Sequence, residues 1–161
     1  MIIKDFYKKL ESKRIFKDFK KNNPDSYLFL VLAILSKNEK ESDKIYFDFF
    51  VPSKKEIVYF EHPFTEVKRT EDNVNLTKEK INLEKLKVDL EDLWEILEKV
   101  KKEKEIKKSF DKIVAVLNMN KWVLKCFSES LDYLKFEIDI NTKKIDNFSK
   151  GDTKDFFRMT K

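Results

Sequence analysis

Glycine, cysteine and histidine each occur only once in the 161 residues, as Gly151, Cys126 and His62. A single glycine excludes a phosphate-cradling glycine loop and moves the turns onto residues that tolerate a left-handed backbone, chiefly Asn and Asp. Asn118, Asn120 and Asn141 stand where such turns are expected. A single cysteine excludes an internal disulfide framework, so packing alone must hold the fold. Cys126 alternates with Leu124 and Ser128 and is expected to pack as a small hydrophobe, with no partner that would make it a nucleophile. A His-based zinc site or triad is excluded for want of partners, and His62, beside Pro63, is expected in an exposed loop. Long apolar runs are missing too. Tyr27–Leu35 is the longest, well short of the roughly 20 residues that span a bilayer. Met-Ile-Ile-Lys-Asp-Phe at the start turns polar at once, with no signal-peptide apolar region, which makes cytoplasmic residence the expectation.

Hydrophobic residues make up 41% of the chain and include 15 Phe, enough to fill a core and to exclude disorder. Charged residues make up 40%, but 35 Lys and Arg against 30 Asp and Glu leave a net charge of +5. With the two signs interleaved, that is a mildly basic surface.

Ile3, Phe6, Tyr7, Leu10, Ile15, Phe16 and Phe19 recur at near-helical spacing, predicting a helix over 2–22 that Pro24 ends. The run from Tyr27 to Ser36 has no polar face and predicts a strand covered on both sides. Residues 44–51 and 56–61 alternate as strands about a turn at Pro52-Ser53-Lys54-Lys55. Apolar density falls between His62 and Thr77, which marks a connection. Asp89 then precedes the stripe Leu90, Leu93, Trp94, Leu97 and Val100, a helix with Asp89 as its N-cap. Residues 113–117 and 121–127 read as a hairpin through Asn118-Met119-Asn120, followed by strands over 134–140 and 145–148 and a polar tail carrying Phe156, Phe157 and Met159.

Phe47, Phe49, Val51, Ile57 and Phe60 can be laid over Phe136, Ile138, Ile140, Ile145 and Phe148, each set bent at a Lys-Lys turn. The expected fold class is therefore α+β, built of two pseudo-repeated units, each a helix packed on an antiparallel β-sheet. The units are 1–62, an α-β-β-β unit, and 86–149, with 63–85 as the connection and 150–161 as the tail. Within the second unit, Leu86-Lys87-Val88-Asp89 leads into Glu91-Asp92-Leu93 and a helix, then Trp122-Val123-Leu124 in a strand, then the stretch from Phe136 through Asp139 and Asn141-Thr142-Lys143-Lys144 to Ile145. This succession resembles a PepSY-type domain over residues 86–148, with a degenerate version over 3–61. A Lys stands here where that family usually has Gly in the last turn. The resemblance implies a non-catalytic, cystatin-like module that binds or restrains other proteins, including peptidases.

The remaining constellations read as surface or core. Glu137, Asp139 and Asn141 share one strand face, but without a glycine-bent loop they are expected to be solvated rather than to bind a cation. Glu91, Glu95 and Glu98 follow helical spacing and mark an exposed face. Trp94 and Trp122 are expected in the core. Lys17, Lys20 and Lys21 end the first helix, and Lys101, Lys102, Lys104, Lys107 and Lys108 end the second. Helix-dipole complementarity accounts for them, and a phosphate backbone is the competing account. The expectation is thus a non-catalytic protein-interaction or regulatory module with an unidentified protein or peptide partner, and with weak nucleic-acid binding as the alternative. No catalytic, cofactor-binding or metal-ligating residue, and no cofactor, is expected; binding residues stay unassigned. Sheet edges leave room for a homo-oligomer.

Overall fold

A run of ten residues with no polar face becomes the central strand of the molecule, β1 (Tyr27–Ser36). The computed structural model describes residues 2–38, 40–72 and 77–152. Ahead of β1 lie α1 (Ile3–Glu11) and α2 (Arg14–Asn22); after it come β2 (Lys44–Val51), β3 (Glu56–Glu61) and β4 (Lys68–Glu71). Two short 3₁₀ turns, Leu83–Lys85 and Leu90–Asp92, lead into α3 (Leu93–Glu103). β5 (Lys112–Asn118), β6 (Lys121–Phe127), β7 (Asp132–Asp139) and β8 (Ile145–Asp152) complete the described chain.

The expected pair of units, each a helix on its own sheet, is overturned by the strand pairing. β1 pairs antiparallel with β5 from Leu30↔Asn118 to Ser36↔Lys112, which joins all eight strands into one sheet in the order β4-β3-β2-β1-β5-β6-β7-β8. The class stays α+β only loosely. The physical reason lies in β1 itself, whose apolar run leaves backbone donors and acceptors on both sides needing partners away from water. β2 satisfies one side and β5 the other. The core is accordingly continuous: Ile3, Leu10, Phe16 and Phe19 of α1 and α2 belong to the same buried cluster as Leu93, Leu97 and Val100 of α3.

Local details also depart from expectation. The helix predicted over 2–22 breaks at Ser12 and Lys13, where the Ser12 hydroxyl donates to the Lys9 carbonyl at 2.6 Å and Lys13 turns extended at ψ 136°. The break lets two short amphipathic helices lay Ile3 and Leu10, then Phe16 and Phe19, on one sheet face. Left-handed backbone falls not on Asn118, Asn120 or Asn141 but on Met119 (φ 58°) and Lys143 (φ 64°) in the same turns, and on Lys55 (φ 50°). β4 forms inside the expected connection, and residues 150–152 extend β8 where the tail was expected to begin. The tail's Phe156, Phe157 and Met159 lie outside the described residues.

α3 itself starts at Leu93, and Asp89, expected as the N-cap of the helix, caps instead the 3₁₀ turn Leu90–Asp92 that leads into it. Its Oδ1 accepts from Leu90 N at 2.7 Å and from Ile3 N, at the start of α1, at 2.8 Å. Asp92 Oδ2 accepts from Asp89 N at 2.8 Å, closing a capping box. One carboxylate therefore fixes the entries of α1 and of the turn leading into α3.

Candidate binding cleft

The polar stripe of α1 does not face open solvent along its whole length. Lys4, Lys8 and Glu11, spaced by one helical turn, form one wall of a cleft of about 640 Å³. The opposite wall is the segment from Lys80 to Glu84. That segment is held because Ile81 is buried and its N–H donates to the Leu28 carbonyl at 2.9 Å, while Asn82 Oδ1 accepts from Glu84 N at 3.0 Å. Tyr7, Tyr27, Leu28 and Phe49 give an apolar floor, and Lys20 and Ser26 close one end. Tyr27 is tied down by its hydroxyl, which donates to the Lys78 carbonyl at 2.7 Å.

Charge in the cleft is unevenly compensated. Lys4 and Glu84 reach across from opposite walls and pair at 2.8 Å. Lys8, Lys20 and Lys80 make no ion pair with any described residue. Lys20 donates instead to the Ser26 carbonyl at 2.8 Å and hydroxyl at 3.1 Å, with its ammonium 5.9 Å from the Phe49 ring centroid. Partial burial and then the charge of Lys80 hold its pKa below the usual lysine range, against a smaller opposing pull from Asp25. Burial, reinforced by Glu11, pushes the Tyr7 phenol up to about 12. A phenol so placed stays protonated and can donate a hydrogen bond into the cleft, since it makes none to another described residue.

A smaller hollow of about 180 Å³ lies between Phe6, Leu35, Asp43, Ile45, Leu90, Glu91 and Trp94. Trp94 is thus half-buried at a rim rather than in the core, with the Lys37 ammonium 4.9 Å from its ring. Trp122 is fully buried and donates its indole N–H to the Val88 carbonyl at 2.9 Å. Cys126 lies in the core, where burial pushes its thiol up to about 12.

His62 departs from the expected exposed loop. It is half-buried between the edges of Phe6 and Phe64, at ring distances of 5.1 and 5.3 Å, and precedes a cis bond to Pro63. Burial, Lys9 and Lys13 lower its pKa, favouring the neutral imidazole. Glu137 and Asp139 are engaged in local structure: Asn147 Nδ2 donates to Glu137, and Asp139 accepts the N–H groups of Asn141 at 2.8 Å and Thr142 at 2.9 Å, which lowers its pKa. Among the described residues no group of three or more His, Cys, Asp and Glu could hold a metal.

The two lysine-rich helix ends are not brought together. α2 ends just before the first residue of β1, whereas the chain after α3 meets the last, through the Lys37 N–H on the Asp111 carbonyl at 2.9 Å. Ten residues of strand separate them, roughly 30 Å at about 3.3 Å per residue. Several of the second set are also occupied: Lys101 pairs with Glu98 at 3.6 Å, Lys104 covers Phe148 at 5.0 Å and Lys108 pairs with Asp132. Only Lys20 of the first set lines the cleft. Sequence reasoning missed Tyr7, Lys8 and Lys80; the Lys4, Lys8, Glu11 stripe was visible, but the wall opposite lies in what read as a connection.

No protein-family model matches this chain, and no curated protein matches it. It is similar in fold to the crystal structure of a "putative lipoprotein" from Clostridium difficile 630, with a TM-score of 0.53 and 12% identity, over 84% of this chain and 89% of the other. At that identity the likeness concerns the fold alone. No helix of the described residues is long and apolar enough to cross a membrane.

Proposed function

We propose that the protein is a non-catalytic interaction module whose ligand is a peptide or an extended segment of another protein, held in the cleft between α1 and residues 80–84. The observation that carries this reading is the cleft's make-up. It combines an apolar floor of Tyr7, Tyr27, Leu28 and Phe49 with flanking polar groups on two anchored walls, in a volume of about 640 Å³, within the roughly 300–1,000 Å³ of ligand pockets. An apolar floor takes side chains and polar walls fix their backbone, the division of labour that peptide recognition needs. The ionisable groups there suit holding better than turnover: Tyr7, with its phenol at about 12, stays protonated, and Lys20, donating to the Ser26 carbonyl and hydroxyl, keeps a further N–H for a ligand. The resemblance of residues 86–148 to a PepSY-type domain is consistent with the same class of role. The nucleic-acid alternative is the weaker one, because the lysine-rich helix ends lie at opposite ends of β1.

Panning a displayed library of random peptides against the immobilised protein tests the reading. Enriched sequences are expected to bind at least about tenfold more weakly to Leu83→Trp, which fills the cleft from a half-buried lining position, a change of about 1.4 kcal/mol in binding. Failure to enrich any sequence, or binding indifferent to that substitution, would sink the proposal.

A further inference from the structure

The distribution of charge in the cleft goes further than its shape. Four lysines, Lys4, Lys8, Lys20 and Lys80, line it against two carboxylates, Glu11 and Glu84. Lys4 and Glu84 cancel each other across the mouth, at 2.8 Å. Lys8, Lys20 and Lys80 form no ion pair with a described residue, with Glu11 in the same lining and Glu84 also within electrostatic reach of Lys8. Glu11 sits one turn beyond Lys8 on the α1 wall, next to Tyr7, whose phenol it raises. Asp25, the carboxylate that opposes the lowering of the Lys20 pKa, also accepts from Ser53 N at 2.8 Å through its Oδ2 and stays ionised. Like charges lining one cleft repel, and the half-buried Lys20 is the least screened of the three, Lys8 and Lys80 being exposed. The Lys20 pKa is lowered first by burial and then by the charge of Lys80.

We infer that the cleft is selective for acidic peptides: Lys8, Lys20 and Lys80 hold side-chain carboxylates of the ligand while Tyr7, Tyr27, Leu28 and Phe49 hold an adjacent apolar side chain. The inference rests on the peptide reading above and names the ligand's chemistry. A carboxylate entering there gains charge-assisted hydrogen bonds and relieves the repulsion between Lys20 and Lys80. A cationic ligand meets a lining of four lysines against two carboxylates, so selectivity comes from exclusion as much as from attraction. Lys4 and Glu84 set a second condition. Their ion pair links α1 to the opposite wall, so the mouth is already bridged before a ligand arrives.

Fluorescence anisotropy with three dye-labelled, end-blocked hexapeptides tests the assignment. All share a central pair of phenylalanines and differ only in flanking glutamates, glutamines or lysines. The glutamate probe is expected to bind at least about tenfold more tightly than the glutamine probe, with affinity falling as salt rises. The lysine probe should bind more weakly still. The double variant Lys8→Glu, Lys80→Glu, which changes two exposed residues and so leaves packing intact, is expected to invert the order of the glutamate and lysine probes. Equal binding of the glutamate and glutamine probes, both lost in Leu83→Trp, overturns the acidic selectivity while leaving the peptide reading standing. Failure of all three probes, together with an empty library selection, overturns both. A single-stranded oligonucleotide that displaces the glutamate probe, and that binds more tightly than it and loses affinity in the double variant, overturns the inference in favour of a phosphate backbone.

Discussion

The two sides of the sheet fill the same buried face by different means. On the β1–β4 side the core is aromatic: Tyr7, Phe16, Phe19, Phe47, Phe49, Phe60 and Phe64 meet edge-to-face, tilted or stacked at ring distances of 5.4–6.4 Å. On the β5–β8 side it is chiefly aliphatic, with Leu93, Leu97, Val100, Ile113, Leu117, Leu124, Leu134, Ile138 and Ile140 around Trp122. The single helix α3 covers the aliphatic side, whereas two short helices cover the aromatic side, with a margin where α1 faces residues 80–84. The cleft opens at that margin, with Tyr7 and Phe49 on its floor. Groups displaced chiefly by burial follow the same division, with Tyr7, Lys20, Asp48 and His62 in the β1–β4 half and Cys126 in the other, where Asp139 is displaced instead by backbone hydrogen bonds. The cleft and most of the groups displaced by burial thus share the aromatic side.

The hardest test of this contrast is a pair of truncations. Trp122→Ala removes a fully buried side chain from the aliphatic side and strands the Val88 carbonyl that it satisfies, and is expected to cost about 3–5 kcal/mol. Phe49→Ala removes a ring equally buried but bordering the cleft, so its surroundings can relax or admit water and the cost should fall near the low end, about 3 kcal/mol. Urea denaturation of both variants reads the difference. Equal costs would remove the distinction in packing.

Asp48 offers the next largest effect and concerns the opposite face of the sheet. Its neighbours in β2, Phe47 and Phe49, point to the helices, while Asp48 lies across from Leu30 and Tyr59 on the other face. Burial there pushes its carboxyl from 3.8 to about 7. The folded state thus holds the proton over a pH range where the unfolded chain has released it, so unfolding is increasingly favoured as pH rises from about 4 to about 7 and the effect levels off above that. Asp48→Asn is expected to flatten this fall and to raise the urea midpoint at pH 8. An unchanged slope would place the displaced proton elsewhere.

Much of the local structure was legible because β-branched and aromatic alternation is a short-range signal: β1, β2 and β3 run over the residues predicted, 27–36, 44–51 and 56–61. β4 was not, since Lys68-Arg69-Thr70-Glu71 contains no apolar residue and pairs with β3 through its backbone at the sheet edge. The break at Ser12 and Lys13 escaped because the apolar spacing runs almost unbroken across it, and a hydroxyl donating to Lys9 decides the matter. The union of the strands into one sheet left no local trace, because Leu30 and Asn118 are partners across 88 residues of sequence. The cleft shares that origin. Lys4 and Lys8 are ordinary lysines between the apolar positions of α1, and only the anchoring of Ile81 on Leu28 makes them a wall.

Asp89 tests whether the two sides are mechanically joined, and its effect should be the smallest of the three. A cap serving one helix would cost about 1 kcal/mol on removal. Here the same oxygen accepts from Leu90 and from Ile3, which lies in α1 on the aromatic side. Asp89→Ala leaves both N–H groups without their acceptor, so the expected cost rises to about 1–2 kcal/mol. Because α1 carries Lys4 and Lys8, loosening its entry should also weaken binding of the glutamate-flanked probe, whereas Asp92→Ala, which removes only the reciprocal bond to Asp89 N, should lower stability and spare binding. Hydrogen exchange of the Ile3 amide reports the loss directly: it should quicken in Asp89→Ala and stay protected in Asp92→Ala. If both variants spare binding, the entry of α1 is held by the burial of Ile3 and Leu10 alone, and the cleft owes its wall to packing rather than to the shared cap.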